Sequence, residues 1–245
     1  MADTKLFPDG HGEYSIKPAN DSDALTIVQA KCVLCDHEFD NHFILTTRMR
    51  RKGVDPDLRM RYKEFEPMHY GITTCPKCLF SAETEEFPNV RKKRAQAVQD
   101  ALEPYKGTKI KIGKERDIQS VFASYYLALV CAPAAIDEQC ELAMAGLWLK
   151  LFRLYEDCGD ERMREFAMKR AYDEYYHVYT KCRTNDKQSQ QIAFLLGEFN
   201  YKMKNYDEAR RFLHPLKKAF GASSLFIKTV EDRLEVIREE MQSRV

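Results

Sequence analysis

Two C-x-x-C pairs carry the clearest chemistry in this 245-residue chain. Cys32 and Cys35 form the first pair, Cys75 and Cys78 form the second pair, and 39 residues separate the two pairs. Two residues between thiolates let both sulfurs of a turn reach one ion, and two such turns complete a tetrahedral S4 shell that suits zinc. Because four protein ligands leave no open position, we expect these cysteines to hold one structural Zn²⁺ per chain.

Other readings of the same cysteines compete with structural zinc. Cys-Pro-x-Cys also occurs in thiol oxidoreductases, and an iron–sulfur cluster takes the same four thiolates. His37, His42 and His69 are near the cysteines in the sequence, and each is a candidate to replace one ligand. A second C-x-x-C would be a coincidence in a redox protein, so zinc bound by four cysteines is favoured.

The remaining cysteines stand singly in helical patterns, and we interpret them as small buried hydrophobes: Cys131, Cys140, Cys158 and Cys182. A secreted disulfide scaffold needs a secretory context and usually a shorter chain. The N-terminus lacks the positively charged start and apolar run of a signal peptide. We therefore expect a cytoplasmic protein with reduced thiols.

The charge is balanced overall, at +1, but unevenly distributed. Residues 1–47 hold 3 basic and 8 acidic residues, whereas residues 48–94 hold 12 and 7. Within the basic stretch, segment 48–63 is a candidate nucleic-acid surface, with Arg50, Arg51 and Arg61 as its candidate binding residues. The alternative is a solvated loop whose charge pairs with the acidic stretch and with Glu64 and Glu66, and the equal and opposite charges favour it.

Three regions follow from the pattern along the chain. Residues 1–24 are polar and are expected to form a loose arm. Residues 25–88 alternate short β-prone runs with the cysteine pairs, which predicts a zinc-ribbon-like unit. Residues 89–245 show helical periodicity. We therefore expect a mainly α fold with a small N-terminal β unit.

The helical region is expected to contain seven helices. Asp117 predicts a helix start, and Pro133 is expected to separate that helix from the next. Asn205 and Glu208 resemble a capping box. Trp148, Phe166 and Tyr179 are expected on buried faces. The expected ranges are 90–102, 117–131, 137–157, 161–182, 188–203, 206–220 and 223–243.

One uncharged stretch is long enough to cross a bilayer. Residues 118–136 carry no charge, but they include polar side chains and have no flanking anchors of the kind that membrane helices use. We interpret them as a buried helix, and we expect no membrane association.

Gly197 and Ala209 resemble the small residues of one tetratricopeptide (TPR) repeat, with Leu196, Tyr206 and Leu213 around them. A small residue on each of two neighbouring helices permits their close approach. The repeat pattern is incomplete, because Ala193, Asn200 and Gly221 replace its usual residues and Pro215 should kink or restart the second helix. The expected arrangement is therefore solenoid-like rather than a regular array; a plain helical bundle is the alternative.

The order of these parts resembles the bacterial family catalogued as domain of unknown function 2225, over roughly residues 25–220. The resemblance rests on the first C-x-x-C, Glu66-Pro67-x-x-Tyr70 before Cys75-Pro-x-Cys78, Leu154-Tyr155-x-x-x-Gly159-Asp160 and the repeat-like hairpin. It implies a cytosolic protein in which a ribbon-like metal segment joins TPR-like helices, and it implies no activity. Leu79 departs from the pattern, because such ribbons often have Gly after the last Cys.

No catalytic motif accompanies these features, and His177 and His214 are interpreted as structural residues. The favoured function is a non-enzymatic interaction module whose helical surface takes a protein or peptide partner. The alternatives are a nucleic-acid-binding regulator that uses residues 48–63, and a thiol-redox or metal-sensing protein. The sequence sets no oligomeric state.

Overall fold

The computed structural model describes residues 5–136 and 139–243, and the first elements in chain order are short strands paired as antiparallel hairpins. Strand β1 (Leu25–Lys31) pairs with β2 (Glu38–Ile44). Strand β3 (Arg51–Val54) pairs with β4 (Met60–Tyr62). Strand β5 (Ile72–Thr74) pairs with β6 (Ser81–Glu83). Each hairpin is a separate two-stranded sheet, so the N-terminal unit has no sheet large enough to enclose a core alone.

Helices make up most of the rest of the described chain. The expected mainly α fold with a small N-terminal β unit is confirmed, whereas the predicted helix start at Asp137 lies outside the described residues. The helices are α1 (Ala95–Leu102), α2 (Ile118–Ala135), α3 (Cys140–Cys158), α4 (Glu161–Lys181), α5 (Asp186–Lys202), α6 (Tyr206–Leu213) and α7 (Ser224–Gln242).

Helix α2 is the central element of the fold. It begins as expected at Asp117, whose side chain accepts a hydrogen bond from the Ser120 N–H at 2.8 Å. The expected break at Pro133 is wrong, because the helix continues to Ala135. Pro133 has no N–H to bond the carbonyl four residues earlier, and the helix ends two residues after it. By length and composition α2 is able to cross a membrane, but 72% of it is buried inside the protein, as in a core helix of a soluble protein.

Two hydrophobic clusters meet at α2. The larger cluster packs α2 against α3, α4 and α5 and includes the buried Trp148 and Phe152. The second cluster joins Cys32 and Cys75 to Phe80 and to residues of α1 and α2. The cysteine-bearing unit therefore shares its core with the helices.

Helix α4 shows where the expected buried face was partly wrong. Its core side is formed by Met163, Ala167, Ala171, Tyr175 and Val178. Phe166 and Tyr179, which periodicity placed inside, are 39% and 44% exposed. Both residues lie at the edges of the apolar face of α4, and the neighbouring helices cover only the middle of that face.

Helices α5 and α6 approach each other at Gly197. A Cβ on this residue would lie 2.6 Å from Leu213 of α6, so glycine is what permits the contact. The expected capping box at Asn205 is wrong, because its side chain makes no capping hydrogen bond. The structure forms one instead with Asn185 and Gln188 at the start of α5. Pro215 does end the regular helix, and a 3₁₀ turn over His214–Lys218 follows α6.

Residues 5–24, the described part of the polar segment before β1, are held against the helices rather than lying loose. His11 Nδ1 lies 2.8 Å from the Tyr155 hydroxyl, and the Tyr14 hydroxyl donates to Asp160 at 2.7 Å. Asn20 donates to the Arg116 carbonyl at 2.7 Å. These bonds reach residues about a hundred or more positions away, which a pattern read along the sequence does not detect.

Candidate metal centre

Two hairpin turns of the same construction carry the four cysteines. Cys32 and Cys35 lie between β1 and β2, and Cys75 and Cys78 lie between β5 and β6. In the first turn the Cys32 N–H donates to the His37 carbonyl at 2.9 Å, and in the second the Cys75 N–H donates to the Phe80 carbonyl at the same distance. The paired strands thus hold both turns in matching conformations.

Each turn closes with a residue in the left-handed backbone region. Asp36 has φ +55° and Leu79 has φ +64°. Leu79 is only 4% exposed, so its side chain packs in the shared core. The position after the second cysteine does need the conformation that glycine adopts easily, but the turn forms with leucine in place.

The four sulfurs converge on one point. Cys32 Sγ lies 3.5 Å from Cys78 Sγ, and Cys35 Sγ lies 3.6 Å from Cys75 Sγ. All four sulfurs lie within 4.8 Å of one another. A tetrahedral Zn–S length of about 2.3 Å places sulfurs about 3.8 Å apart, so this arrangement fits one tetrahedral ion. A disulfide requires about 2.05 Å, and none is formed. The four residues therefore lie close enough together to hold a metal ion.

The pKa values of the thiols shift in opposite directions because the four sulfurs lie close together. Hydrogen bonds from Cys32 and Cys78 hold the pKa of Cys75 below its usual range. The bond with Cys75 raises the pKa of Cys32, and the bond with Cys32 raises that of Cys78. Four neighbouring thiolates repel one another unless a cation lies between them. Metal ligation requires deprotonated sulfurs, so metal affinity at this site should rise with pH.

The surroundings of the site are apolar on the side of the helices. Cys32 and Cys75 are fully buried, whereas Cys35 and Cys78 are half-buried at the outer side of the turns. Phe39, Phe80 and Phe87 pack in the same cluster. An apolar shell of this kind limits solvent access to a metal and its ligands.

The neighbouring histidines do not join the four sulfurs. His42 packs edge-on against Tyr70, with ring centroids 5.1 Å apart. His42 and His69 are buried away from solvent, and His37 stacks with Phe39. The structure thus groups four cysteines, with no histidine among the ligand atoms of that cluster.

Both cysteine pairs lie on turns between strands. Reactive C-x-x-C cysteines typically have their thiolate stabilised at a helix N-terminus or by a nearby cation. The short sulfur–sulfur contacts here also join one pair to the other. This geometry suits shared ligation of an ion better than a disulfide within one pair.

The candidate nucleic-acid residues separate into two environments. Arg50 and Arg51 are exposed at the β3–β4 hairpin. Arg61 is half-buried and pairs with Asp55 at 2.5 Å and with Asp157 at 2.9 Å. The charge of Arg61 is therefore largely neutralised within the protein.

Arg59 forms a buried ion-pair network that the sequence pattern did not single out. Its side chain is 3% exposed, donates to Glu66 at 2.7 Å and pairs with Asp157 near the C-terminal end of α3. Glu66 was an expected partner of the basic stretch, but Asp157 was not. Arg59 lies just before β4, and its place in a basic stretch gave no sign that its side chain points into the protein.

Among the single cysteines, only Cys131 is buried as expected. Cys140, Cys158 and Cys182 are half-buried. All three pack against the edge of the larger hydrophobic cluster, so they are hydrophobic contacts as expected but are only partly buried.

Comparison with known families supports the resemblance noted from the motifs. Residues 25–241 match the family described as an uncharacterized protein conserved in bacteria, DUF2225. A curated protein of Borreliella burgdorferi, described as an uncharacterized protein, is 28% identical over 116 residues, which cover 41% of each chain. The alignment thus spans less than half the length of that relative. No solved structure matches the chain. Because the family match extends over most of its length, this protein belongs to the bacterial DUF2225 family.

Proposed function

We propose that this protein is a non-enzymatic interaction module, braced by one structural zinc ion and acting in the cytoplasm. Cys32, Cys35, Cys75 and Cys78 supply four thiolates at spacings that suit zinc, and a four-sulfur shell leaves no position for a substrate. The ion would join the β1–β2 and β5–β6 turns, each of which has too little sheet to be stable alone.

A surface cavity next to the metal-bearing unit is the observation that carries the interaction proposal. It has a volume of about 280 Å³ and lies between β6 and helices α2 and α3. Ala128, Ala132, Ala143 and Leu147 line it, and Glu86 is among the polar residues at its edge. Small apolar side chains with a polar rim suit one large apolar side chain of a peptide partner.

Filling the cavity tests this proposal. Ala143→Phe places a large ring in the cavity from the first turns of α3, whereas Tyr176→Ala alters an exposed aromatic on the outer surface of α4. Tagged wild-type protein and the Tyr176→Ala control are expected to retain the same partner from a lysate of the native host, and Ala143→Phe is expected to lose it. Circular dichroism checks that the variants fold. If no protein copurifies, or if Ala143→Phe retains the same partner, the proposal fails.

A nucleic-acid-binding role is the second candidate, because Arg50 and Arg51 are exposed on one hairpin with Lys52 beside them. Three exposed cations would give a salt slope of at most about −2.7 for duplex DNA. Replacing Arg50 and Arg51 with Ala should weaken binding to all sequences alike, and Arg61→Ala should change it little. Absence of binding to duplex DNA and to single-stranded RNA at low salt would eliminate this candidate.

A further inference from the structure

Three side chains of different chemistry meet where the start of α3 lies beside the end of α4. Glu141 is in the first turn of α3, His177 is near the end of α4, and Cys182 is the residue that caps α4. Their carboxylate, imidazole and thiol ligand atoms all lie within 4.8 Å of one another. Sequence analysis interpreted His177 as a structural residue and Cys182 as a buried hydrophobe. It did not connect them with Glu141, because only the packing of α3 beside α4 brings the three side chains together.

The three ligand atoms are available to a solute. Glu141 and His177 are exposed, and Cys182 is half-buried. Within the described part of the chain, none of these side chains has a hydrogen bond or an ion pair with another protein group. Cys182 also packs against the edge of the larger hydrophobic cluster, which fixes the thiol beside the two exposed side chains.

We infer that Glu141, His177 and Cys182 form a second metal site, which binds a divalent transition metal of the zinc class. Zinc accepts nitrogen, sulfur and oxygen ligands, whereas magnesium and calcium prefer oxygen alone. Ligands at about 2.0–2.3 Å in a tetrahedron are about 3.3–3.8 Å apart. Changes in the side-chain torsions of Glu141 and His177 that move their ligand atoms by about 1 Å would bring all three atoms to coordination distance, and exposed side chains have this freedom.

This site differs in kind from the four-cysteine cluster. Three protein ligands leave one position for water or for a donor from another molecule, as in open zinc sites. It also joins the beginning of α3 to the end of α4, so a bound ion should stabilise the folded helical pair through linkage. The inference goes beyond the proposed interaction role and does not depend on it.

Metal titration of the untagged full-length chain tests the second site. Protein that already holds zinc at the four-cysteine cluster is titrated with Co²⁺, and binding is followed by absorbance and by metal analysis. One further ion per chain is expected, with a sulfur-to-cobalt charge-transfer band from a single thiolate. Loss of a group that only hydrogen-bonds to a metal ligand already lowers metal affinity about 10–100-fold. Loss of a ligand itself, in Glu141→Gln or His177→Ala, should therefore lower the affinity for the second ion at least about tenfold.

Matched variants distinguish the site from other surface ligands. Cys182→Ser should abolish the charge-transfer band, whereas Cys158→Ser should retain it, since Cys158 lies at the opposite end of α3. His214→Ala controls for exposed imidazoles, because His214 is exposed and follows α6. Helicity of all variants is checked by circular dichroism. Failure of wild type to bind a second ion, or equal binding by wild type, Glu141→Gln and His177→Ala, overturns the inference.

Discussion

Leu79 closes the second cysteine turn in a backbone conformation that L-residues rarely adopt, with φ +64°. Asp36 occupies the matching position of the first turn with φ +55°. The left-handed conformation costs roughly 1–2 kcal/mol for an L-residue. The two residues differ in burial, because Leu79 is 4% exposed whereas the side chain of Asp36 is 83% exposed. This contrast separates backbone strain from side-chain packing.

Glycine substitutions at these two positions should therefore have opposite effects. Leu79→Gly relieves the strain but removes a buried leucine, which costs about 2–5 kcal/mol, so the variant should be less stable by about 1–3 kcal/mol. Asp36→Gly relieves the strain and loses only an exposed pair with Lys31, so it should be as stable as wild type or more so. Chemical denaturation of metal-loaded protein measures both; destabilisation by Asp36→Gly would contradict the strain argument.

Arg59 provides the second test at this scale. Its buried guanidinium contacts Glu66 and Asp157, and removing one partner of a buried pair typically costs about 3–5 kcal/mol because the other charge loses its compensation. Arg59→Met should lower the free energy of unfolding by roughly that amount. Arg61→Met should cost clearly less, since Arg61 is 31% exposed and Arg59 still faces Asp157. Equal effects of the two substitutions, measured by urea denaturation, would refute the distinction.

The grouping of the four cysteines could be predicted because its signal is local. Each C-x-x-C indicates its own turn, and two such turns suit one ion. The role of Arg61 could not be predicted in this way, because its partner Asp157 is 96 residues away. A basic residue in a basic stretch gives no sign in the sequence of whether its charge is paired inside the protein.

The α5–α6 contact shows the same limit for whole elements. Sequence spacing identified Gly197 and Ala209 as small residues at a helix–helix contact, and the structure places Gly197 directly against Leu213. The capping residues were harder to choose. Asn185 has ψ 166° and caps α5, whereas Asn205 has ψ 67° and does not cap α6. Both sites fit the capping-box pattern, and the backbone before each helix decides which one forms.

Alanine substitutions at two helical glycines measure this contact. Gly197→Ala puts a Cβ 2.6 Å from Leu213, and overpacking of this kind costs about 1–3 kcal/mol. Gly146→Ala in α3 meets nothing within 4 Å, so only the helix preference for alanine acts, up to about 1 kcal/mol. Gly197→Ala should therefore be less stable than Gly146→Ala in thermal denaturation. If both variants are equally stabilised, the close approach of α5 and α6 is wrong.

Two buried histidines and the half-buried His11 make the stability of the whole molecule depend on pH. Burial lowers the pKa of His11, His42 and His69. The unfolded chain then binds more protons than the folded chain near the ordinary histidine pKa of about 6.5. Stability is therefore fully present above that pH and falls as the pH drops below it.

Urea denaturation of metal-loaded protein between about pH 7.5 and pH 5 measures this dependence. Stability should decrease toward pH 5 in wild type. His11→Gln should reduce the slope because it removes one imidazole whose pKa is lower in the folded than in the unfolded chain. His214→Gln, which alters an exposed residue, should keep the wild-type slope. An unchanged slope in His11→Gln would show that His11 does not contribute.

The shared core changes what loss of the metal should do. Cys32, Cys75 and Phe80 belong to the same cluster as Val98 of α1 and Leu127 of α2. Sequence analysis predicts a separate zinc-ribbon-like unit, but the cluster shows no boundary of packing at α1. Loss of the ion should therefore disturb α1 as well as the hairpins, while the cluster around Trp148 and Phe152 retains its own packing.

Metal content and thiol protection of the untagged protein, measured together, test the central claim most directly. After dialysis to remove loosely held metal, wild type and Cys158→Ser should keep one zinc ion per chain, with Cys32, Cys35, Cys75 and Cys78 protected from alkylation. Cys32→Ser and Cys75→Ser should lose that ion and expose residues 25–80 to protease. Folded wild-type protein that carries no metal and has these four thiols freely reactive, or that holds them as disulfides that cycle with a reductant, would contradict the account.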